Sequence, residues 1–306
     1  MNKLPVGSAI PHLASRIKDM QLFVEQLLNG IATGSIYALV TLGLALVYGI
    51  MRILHIAHAA VYTIGAYVGL LFFNLCGSLL IAVIGSMVVC AMAGVAIERF
   101  VYFPLLKYPP FVPLIASIAI LLSVEELCRL IAGPQILTFP AELPFPELQV
   151  AGVKVTSTIT AVYGITAAVL ALLWFITTKT ELGLAMRAAS QDMAVADAMG
   201  INSHLIISIT FVIGSAVAAV AGILVGIYFN QVYPTMGAIP AYKTLALIVV
   251  GGLGSVPGAV AASLLLGMAE TLLIGYADIP LPRDALAFIA MIGMLMWRSQ
   301  GLLGSR

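Results

Sequence analysis

The sequence predicts an all-α integral membrane protein of about eight transmembrane helices, some discontinuous, with two long apolar runs alike enough to suggest an internal repeat. Three observations predict it. Of 306 residues, 62% are hydrophobic and 9% charged, with a mean hydropathy of +1.12. Soluble domains carry about 25% charged residues, so lipid must solvate most of this surface. A spanning helix takes about 20 residues, which leaves room for roughly eight passes and their connections. Finally, the strongly polar stretch 179–203 lies in mid-chain between two runs long enough to span.

The apolar runs cover 22–50, 57–73, 79–97, 112–132, 157–177, 204–229, 244–275 and 284–303. Before them, residues 1–20 read as an N-terminal tail able to form a short surface helix. Pro5, Pro11, Arg16, Lys18 and Asp19 interrupt any signal-peptide core, and no cleavage pattern follows. Residues 21–306 read as one transmembrane domain. Run 22–50 would measure about 43 Å as a helix against a hydrocarbon core of about 30 Å, so it must tilt, project or break. Run 244–275 contains Gly251, Gly252, Gly254, Pro257 and Gly258, a cluster incompatible with an unbroken helix.

These two long runs resemble each other. Thr41–Gly49 and Thr244–Gly252 share five of nine positions, and each is followed by a break. Paired broken helices in repeats are a recurring transporter design; chance likeness between two apolar helices is the other reading. Small residues recur every four positions at Gly30, Gly34 and Ala38, at Ala82, Ser86, Cys90 and Gly94, and at Gly214, Ala218, Gly222 and Gly226. No hydrophobic force joins helices in lipid, so these stripes predict close packing seams. Cys76, Cys90 and Cys128 lack metal-ligand spacing and read as packing residues.

Segment 133–156 carries Pro134, Pro140, Pro144 and Pro146 with Glu142 and Glu147. It reads as a water-exposed connection on the face opposite 179–203, since run 157–177 separates them. With 179–203 in the cytoplasm, eight passes place Arg52, Arg99, Lys107, Lys179, Arg187 and Arg283 inside. Both termini then fall outside with Lys3, Arg16, Lys18, Arg298 and Arg306, a poor charge bias. Within 179–203, Leu182, Met186, Ala189, Met193 and Ala196 mark one face of an amphipathic helix, and Gly200 marks a helix end.

Few residues offer chemistry. His55 and His58 share a helical face but lack a third ligand, so they predict no metal site; lining a polar path at a helix break, or plain structural use, are the alternatives. Glu125 and Arg129 can pair at four-residue spacing. Glu270, alone in its run, should pair across helices or face a cavity. Glu98 and Arg99 read as boundary charges. No P-loop, His-Glu-x-x-His, Gly-x-Ser-x-Gly or dinucleotide fingerprint occurs. The chain therefore shows neither an ATP site nor a hydrolytic one, is not expected to be an enzyme, and needs no cofactor. The net charge of +1 argues against nucleic acid as a partner.

The stretch from Asn29, Gly30 and Gly34 through Ser35, Tyr37, Gly43, Tyr48, Gly49 and Arg52, running into His55, His58, Gly65 and Tyr67, resembles the opening of the permease subunits of branched-chain amino acid ABC importers. Glu181, Gly183, Met186, Arg187, Ala188, Ala189, Gly200, Ile201 and Asn202 resemble their cytoplasmic loop. The run from Gly251 through Gly252, Gly254, Ser255 and Pro257 to Ala259 resembles their late glycine-rich segment. Order and spacing match from 22 to 303 and favour the first of the two permease types. The family commonly has His-Gly where this chain has His58 and Ala59. Its importer loops carry Glu-Ala-Ala where Arg187 here precedes Ala188 and Ala189.

The resemblance implies a subunit of the bacterial cytoplasmic (inner) membrane. Its implied partners are a second homologous permease, two cytoplasmic ATP-binding subunits and a periplasmic binding protein. It implies a coupling helix in 179–203, with Arg187, Ala188, Ala189, Gln191, Asp192 and Gly200 as candidate ATPase contacts. Tyr37, Tyr48, His58, Tyr62, Tyr67, Gly251, Gly252 and Gly254 become candidates for the substrate pathway. The binding protein would deliver onto 133–156 and 230–243. Urea or short amides are the competing substrates within this class. A self-contained secondary transporter or channel, using Glu125, Glu126 and Glu270, is the competing class; an intramembrane enzyme built on the two histidines lacks a nucleophile.

Overall fold

The computed structural model describes residues 9–141, 143–150, 152–276, 282–298 and 300–303. The expectations placed on Lys3, Pro5, Glu142 and Arg306, and on the side chains of Pro11, Arg16, Lys18 and Arg283, lie outside the described residues. The elements run α1 (Ala9–Met51), α2 (His58–Cys76) and α3 (Leu79–Ile97), the last continued by a π turn (Glu98–Tyr102) and the single turn α4 (Phe103–Leu105). Then come α5 (Phe111–Ala132), the short hairpin β1 (Leu148–Val150) and β2 (Val153–Val155), α6 (Ser157–Lys179), α7 (Glu181–Gln191) and α8 (Met193–Ala198). The chain finishes with α9 (Ser203–Tyr228), a 3-10 turn (Pro234–Gly237), α10 (Ala238–Gly251), α11 (Val256–Tyr276) and α12 (Arg283–Trp297). Among the described residues, eight helices are long and apolar enough to cross a membrane.

The two long runs resolve differently. Run 22–50 does not break. It belongs to one 43-residue helix, already helical at Ala9, about 64 Å long at about 1.5 Å per residue. It must project beyond a bilayer, tilt, or both. Run 244–275 does break: α10 stops at Gly251 and α11 starts at Val256. It therefore supplies two of the candidate spans where the sequence suggested one. Run 284–303 stops early, at Trp297. The count of eight survives with a different membership.

This reassignment moves the C-terminal strap. Its Leu302 and Leu303 N–H groups donate to the Val250 and Gly251 carbonyls at 2.8 and 3.1 Å, satisfying orphan acceptors at the end of α10. The strap thus lies at the end of the bundle that holds 179–203, here called the lower end. Arg298 joins Arg52, Arg99, Lys107, Lys179 and Arg187 there, whereas Arg283 opens α12 nearer the upper end. The expected placement of Arg283 and Arg298 is thereby exchanged.

The helix–break–helix pairs α1–α2 and α10–α11 run in the same sense, and the second break lies against the last turn of α1. A Cβ placed on Gly49 would lie 3.7 Å from the Gly254 carbonyl oxygen. The 30–50 part of α1 and most of α9 are buried and form the core. The predicted seams are real. The buried residues of α3 are Ala82, Ser86, Cys90 and Gly94. Gly94 packs on Ser215, Gly214 on Gly43, and Gly222 on the Tyr62 carbonyl.

On α5, Pro113, Ser117, Leu121 and Glu125 form the inward stripe. Glu125 does not pair with Arg129 as its spacing suggested. Arg129 turns outward to Glu126 at 2.9 Å, three residues away, where both stay largely exposed. At the upper end, Leu137 and Val232 exchange backbone hydrogen bonds at 2.8 Å, joining 133–149 to the connection after α9. That connection then re-enters the bundle. Gly237 packs on the Ala59 carbonyl and Thr63, so α10 begins well inside the protein. Of 230–243, Asn230, Gln231, Thr235 and Ile239 are exposed, the first two beside Phe229 at this surface.

Candidate functional site

Two features combine position with chemistry: the lower surface of 179–203 and a cavity opening toward the upper end.

The lower surface is punctuated by side-chain caps. Thr180 accepts from the Gly183 N–H at 3.2 Å, Asp192 from Val195 at 3.0 Å and Asn202 from Leu205 at 3.1 Å. Each supplies an acceptor to an orphan helix N–H. The stretch is therefore two helices with a corner at Asp192, where the sequence suggested one. Its predicted apolar face is nonetheless the buried one. Met186, Ala189 and Ala196 point inward, and the first two pack with Val47 and Ile50 of α1. Gly200, at φ +89°, lets the Ile201 N–H return to the Ala196 carbonyl at 3.0 Å.

The coupling candidates separate by exposure. Gln191, Asp192 and Gly200 lie outside, Ala188 is half-buried, and Ala189 faces the protein's own core. Arg187 is exposed, but its guanidinium donates to the Thr177 carbonyl at the end of α6. Leu184, Val195 and Met199 are exposed beside these polar groups, an apolar supplement the sequence pattern did not single out.

Asp197 ties α8 to α9. Its carboxylate accepts from the Ser203 N–H at 2.9 Å, and the Ser203 backbone and side chain hold its pKa below the ordinary carboxylate range. A lowered folded pKa stabilises above the unfolded value and loses that contribution as pH falls. Protection of the Ser203 amide against hydrogen exchange should be complete above about pH 4 and decline below it. Asp197→Asn should remove this pH dependence; an unchanged profile would disprove the link.

The cavity, about 270 Å³, lies between α1, α2, the end of α9, α10 and α12. Tyr37 and Tyr62 line it, so the structure brings two of the pathway candidates together. Its apolar wall includes Ile36, Val40, Val225, Phe229, Met236 and Leu247. Its polar corner holds Lys243 and Asp284, residues absent from the sequence-based candidates. The Lys243 Nζ lies 3.0 Å from Glu270 Oε1 and 3.1 Å from Asp284 Oδ1. It also donates to the Tyr37 hydroxyl at 2.9 Å, and that hydroxyl donates to Glu270 Oε2 at 2.9 Å. Tyr242 donates to Asp284 Oδ2 at 2.7 Å. Glu270 thus pairs across helices, as its isolation in an apolar run required. A charged residue at the edge of run 244–275 was the available signal for Lys243.

The other pathway candidates lie elsewhere. His58 bonds the Val40 carbonyl at 3.1 Å and packs on Gly43; its neighbour His55 bonds Tyr102 at 2.6 Å. Both histidines are buried. Tyr48 lines neither this cavity nor the lower cleft. Tyr67 lines a lateral groove between α2, α3 and α5. Gly251 and Gly252 are packed against Gly258 and Gly301. Gly254 borders an apolar lower cleft of about 680 Å³ together with Gly49, Gly183 and Arg187.

Known proteins match over the same span. A family model described as the permease component of the branched-chain amino acid transport system matches residues 26–296. The chain is 34% identical over 297 residues to the high-affinity branched-chain amino acid transport system permease protein BraD of Pseudomonas aeruginosa, covering 92% of this chain and 96% of that one. It is 33% identical over 298 residues to the LivH permease protein of Escherichia coli K12, with the same coverage. It is 27% identical over 300 residues to a probable LivH of Methanocaldococcus jannaschii, covering 92% of each. With the model spanning most of the chain and two such relatives matched nearly end to end, this chain belongs to the branched-chain amino acid transport system permease family.

Proposed function

We propose that this protein is a transmembrane permease subunit of an ATP-driven importer that moves branched-chain, hydrophobic amino acids across the bacterial inner membrane by alternating access. The observation that carries this reading is the family match along residues 26–296, which takes in the membrane helices and the exposed lower surface alike. The chain has no nucleotide-binding pattern of its own, so the energy is supplied by two cytoplasmic ATP-binding subunits. A second permease completes the pore, and a binding protein delivers substrate.

The charge distribution supports the orientation. Arg52, Arg99, Lys107, Lys179, Arg187 and Arg298 gather at the lower end, while Arg129 and Lys154 lie at the upper end, where α1 positions 16 and 18 and the start of α12 at Arg283 leave the lower end only a small excess. Excess Lys and Arg mark the cytoplasmic side. The lower surface, with Leu184, Gln191, Asp192, Val195, Met199 and Gly200 outward, is then the docking site for an ATPase subunit. Met186 and Ala189 transmit its movement to Val47 and Ile50 of α1. From Ile50 to Tyr37, α1 carries it about 20 Å to the cavity. The breaks at 52–57 and 252–255 give the bundle its hinge, since interrupted helices at a repeat interface allow one part to rock against the other. The binding protein docks at the opposite end, on 133–149 and 229–231.

Arg187→Glu removes the cap on α6 and reverses charge at the docking face. In the reconstituted complex it should reduce ligand-stimulated ATP hydrolysis at least tenfold, and Gly200→Val should act in the same direction. Stimulation and uptake both at wild-type levels, in a complex still assembled, would sink the coupling assignment.

A further inference from the structure

We propose that the polar corner formed by Lys243, Asp284 and Tyr37 binds the zwitterionic head of an α-amino acid, which inserts into the Lys243–Asp284 bridge. The proposal rests on the importer reading above and adds to it a site and a recognition chemistry.

The corner presents both signs of charge side by side in an otherwise apolar cavity. Lys243 Nζ and Asp284 Oδ1 are 3.1 Å apart, with the lysine side chain 3% exposed and the aspartate 35%. Their supports come from behind. Glu270, 2% exposed, does not line the cavity; it holds the ammonium at 3.0 Å and, with Tyr37, fixes its direction. Tyr242 holds the far oxygen of Asp284. An ammonium so deep in a membrane protein is a functional-site candidate by default.

An α-amino acid carries its carboxylate and ammonium on one carbon. Its carboxylate can replace Asp284 as the partner of Lys243 while its ammonium takes the Asp284 carboxylate. The Lys243–Asp284 contact gives way to two ion pairs while Lys243 keeps Glu270, and no charge is left buried without a partner, the condition such a site must meet. The hydrocarbon side chain then lies against Val40, Val225, Phe229 and Leu247. A neutral amide offers no charges for this exchange, so opening the bridge would leave Lys243 and Asp284 less well paired. The corner therefore favours amino acids over urea and short amides.

Insertion also has a mechanical consequence. Lys243 belongs to α10 and Asp284 to α12. The bridge ties these two short helices in the empty state, and the ligand replaces that tie with a longer linkage through itself.

The test uses the full-length chain in nanodiscs, without a binding protein, and saturation-transfer NMR. The probes are L-leucine, 4-methylpentanoate, which lacks the ammonium, and 3-methylbutylamine, which lacks the carboxylate. Leucine should bind at least tenfold more tightly than either analogue. Asp284→Asn should erase its advantage over 4-methylpentanoate. Phe229→Ala, at the open mouth, should weaken all three probes alike and keep their ratios. Equal binding of the three by wild type, or an Asp284→Asn chain that keeps the advantage, overturns the site. ATP-driven leucine uptake by the wild-type complex tests the importer reading separately. Charge-dependent binding without uptake overturns that reading and keeps the site; uptake without charge-dependent binding does the reverse.

Discussion

Gly267→Leu should destabilise the protein by about 3 kcal/mol or more, because the added side chain has nowhere to go and overpacking relief would need backbone movement. A Cβ at Gly267 would lie 2.3 Å from the Gly34 backbone nitrogen, 2.4 Å from its Cα and 2.8 Å from the Gly30 carbonyl oxygen. The contact is reciprocal: a Cβ on Gly34 would meet Leu264 Cα at 2.8 Å. All these neighbours are backbone, so no rotamer change relieves the clash. Helices α1 and α11 must separate, and the dispersion contacts of a long seam weaken together. The expected readout is a much lower unfolding temperature in detergent or nanodiscs and little monodisperse protein. Gly293→Leu is the matched control, since a Cβ there meets nothing within 4 Å. Gly267→Leu melting with wild type would refute the close-packed seam.

That seam shows what the sequence could reveal. Gly30, Gly34 and Ala38 were legible as a packing stripe because a four-residue period of small residues is a local signal. The same holds for Ala82 to Gly94, and for the break after Gly251, where glycines and Pro257 interrupt a helix by local chemistry alone. The three caps at Thr180, Asp192 and Asn202 follow residue type, although the corner at Asp192 divided a stretch whose apolar periodicity reads as continuous. The partner of Arg129 was less legible. Spacings of three and four are both permitted on a helix, and the choice of Glu126 reflects Glu125 turning inward with Leu121 and Ser117.

The cavity was half legible. Tyr37 and Tyr62 were selected on residue type, but their association with Lys243 and Asp284 joins residues from four helices far apart in sequence. No local pattern reports such a meeting. The number of crossings decided much of this. Treating 244–275 as one pass obscured the return of α12 beside α10, and with it both the place of Asp284 and the lower-end position of Arg298.

Removing Lys243 alone should be far more harmful than removing Lys243 and Glu270 together. Lys243 and Glu270 are 3% and 2% exposed and 3.0 Å apart. Lys243→Met leaves the buried Glu270 carboxylate with only the Tyr37 hydroxyl as its partner among the described residues, whereas Glu270→Leu leaves the ammonium paired with Asp284. Breaking such a pair from one side typically destabilises by about 3–5 kcal/mol, whereas replacing both charges with packed apolar groups is often close to neutral. Lys243→Met combined with Glu270→Leu should therefore recover most of the stability lost by Lys243→Met alone. Unfolding temperatures of the wild type, both single variants and the double variant form the cycle that measures this coupling. Additive losses would show that the pair is not energetically linked. Recovery of stability should not bring recovery of transport. The double variant lacks the ammonium that meets the substrate carboxylate, so its leucine uptake should stay at least tenfold below wild type. Restored folding together with restored uptake would mean that the pair serves only as a helix tie. Restored folding without uptake would place this expensive charge in the membrane for the ligand.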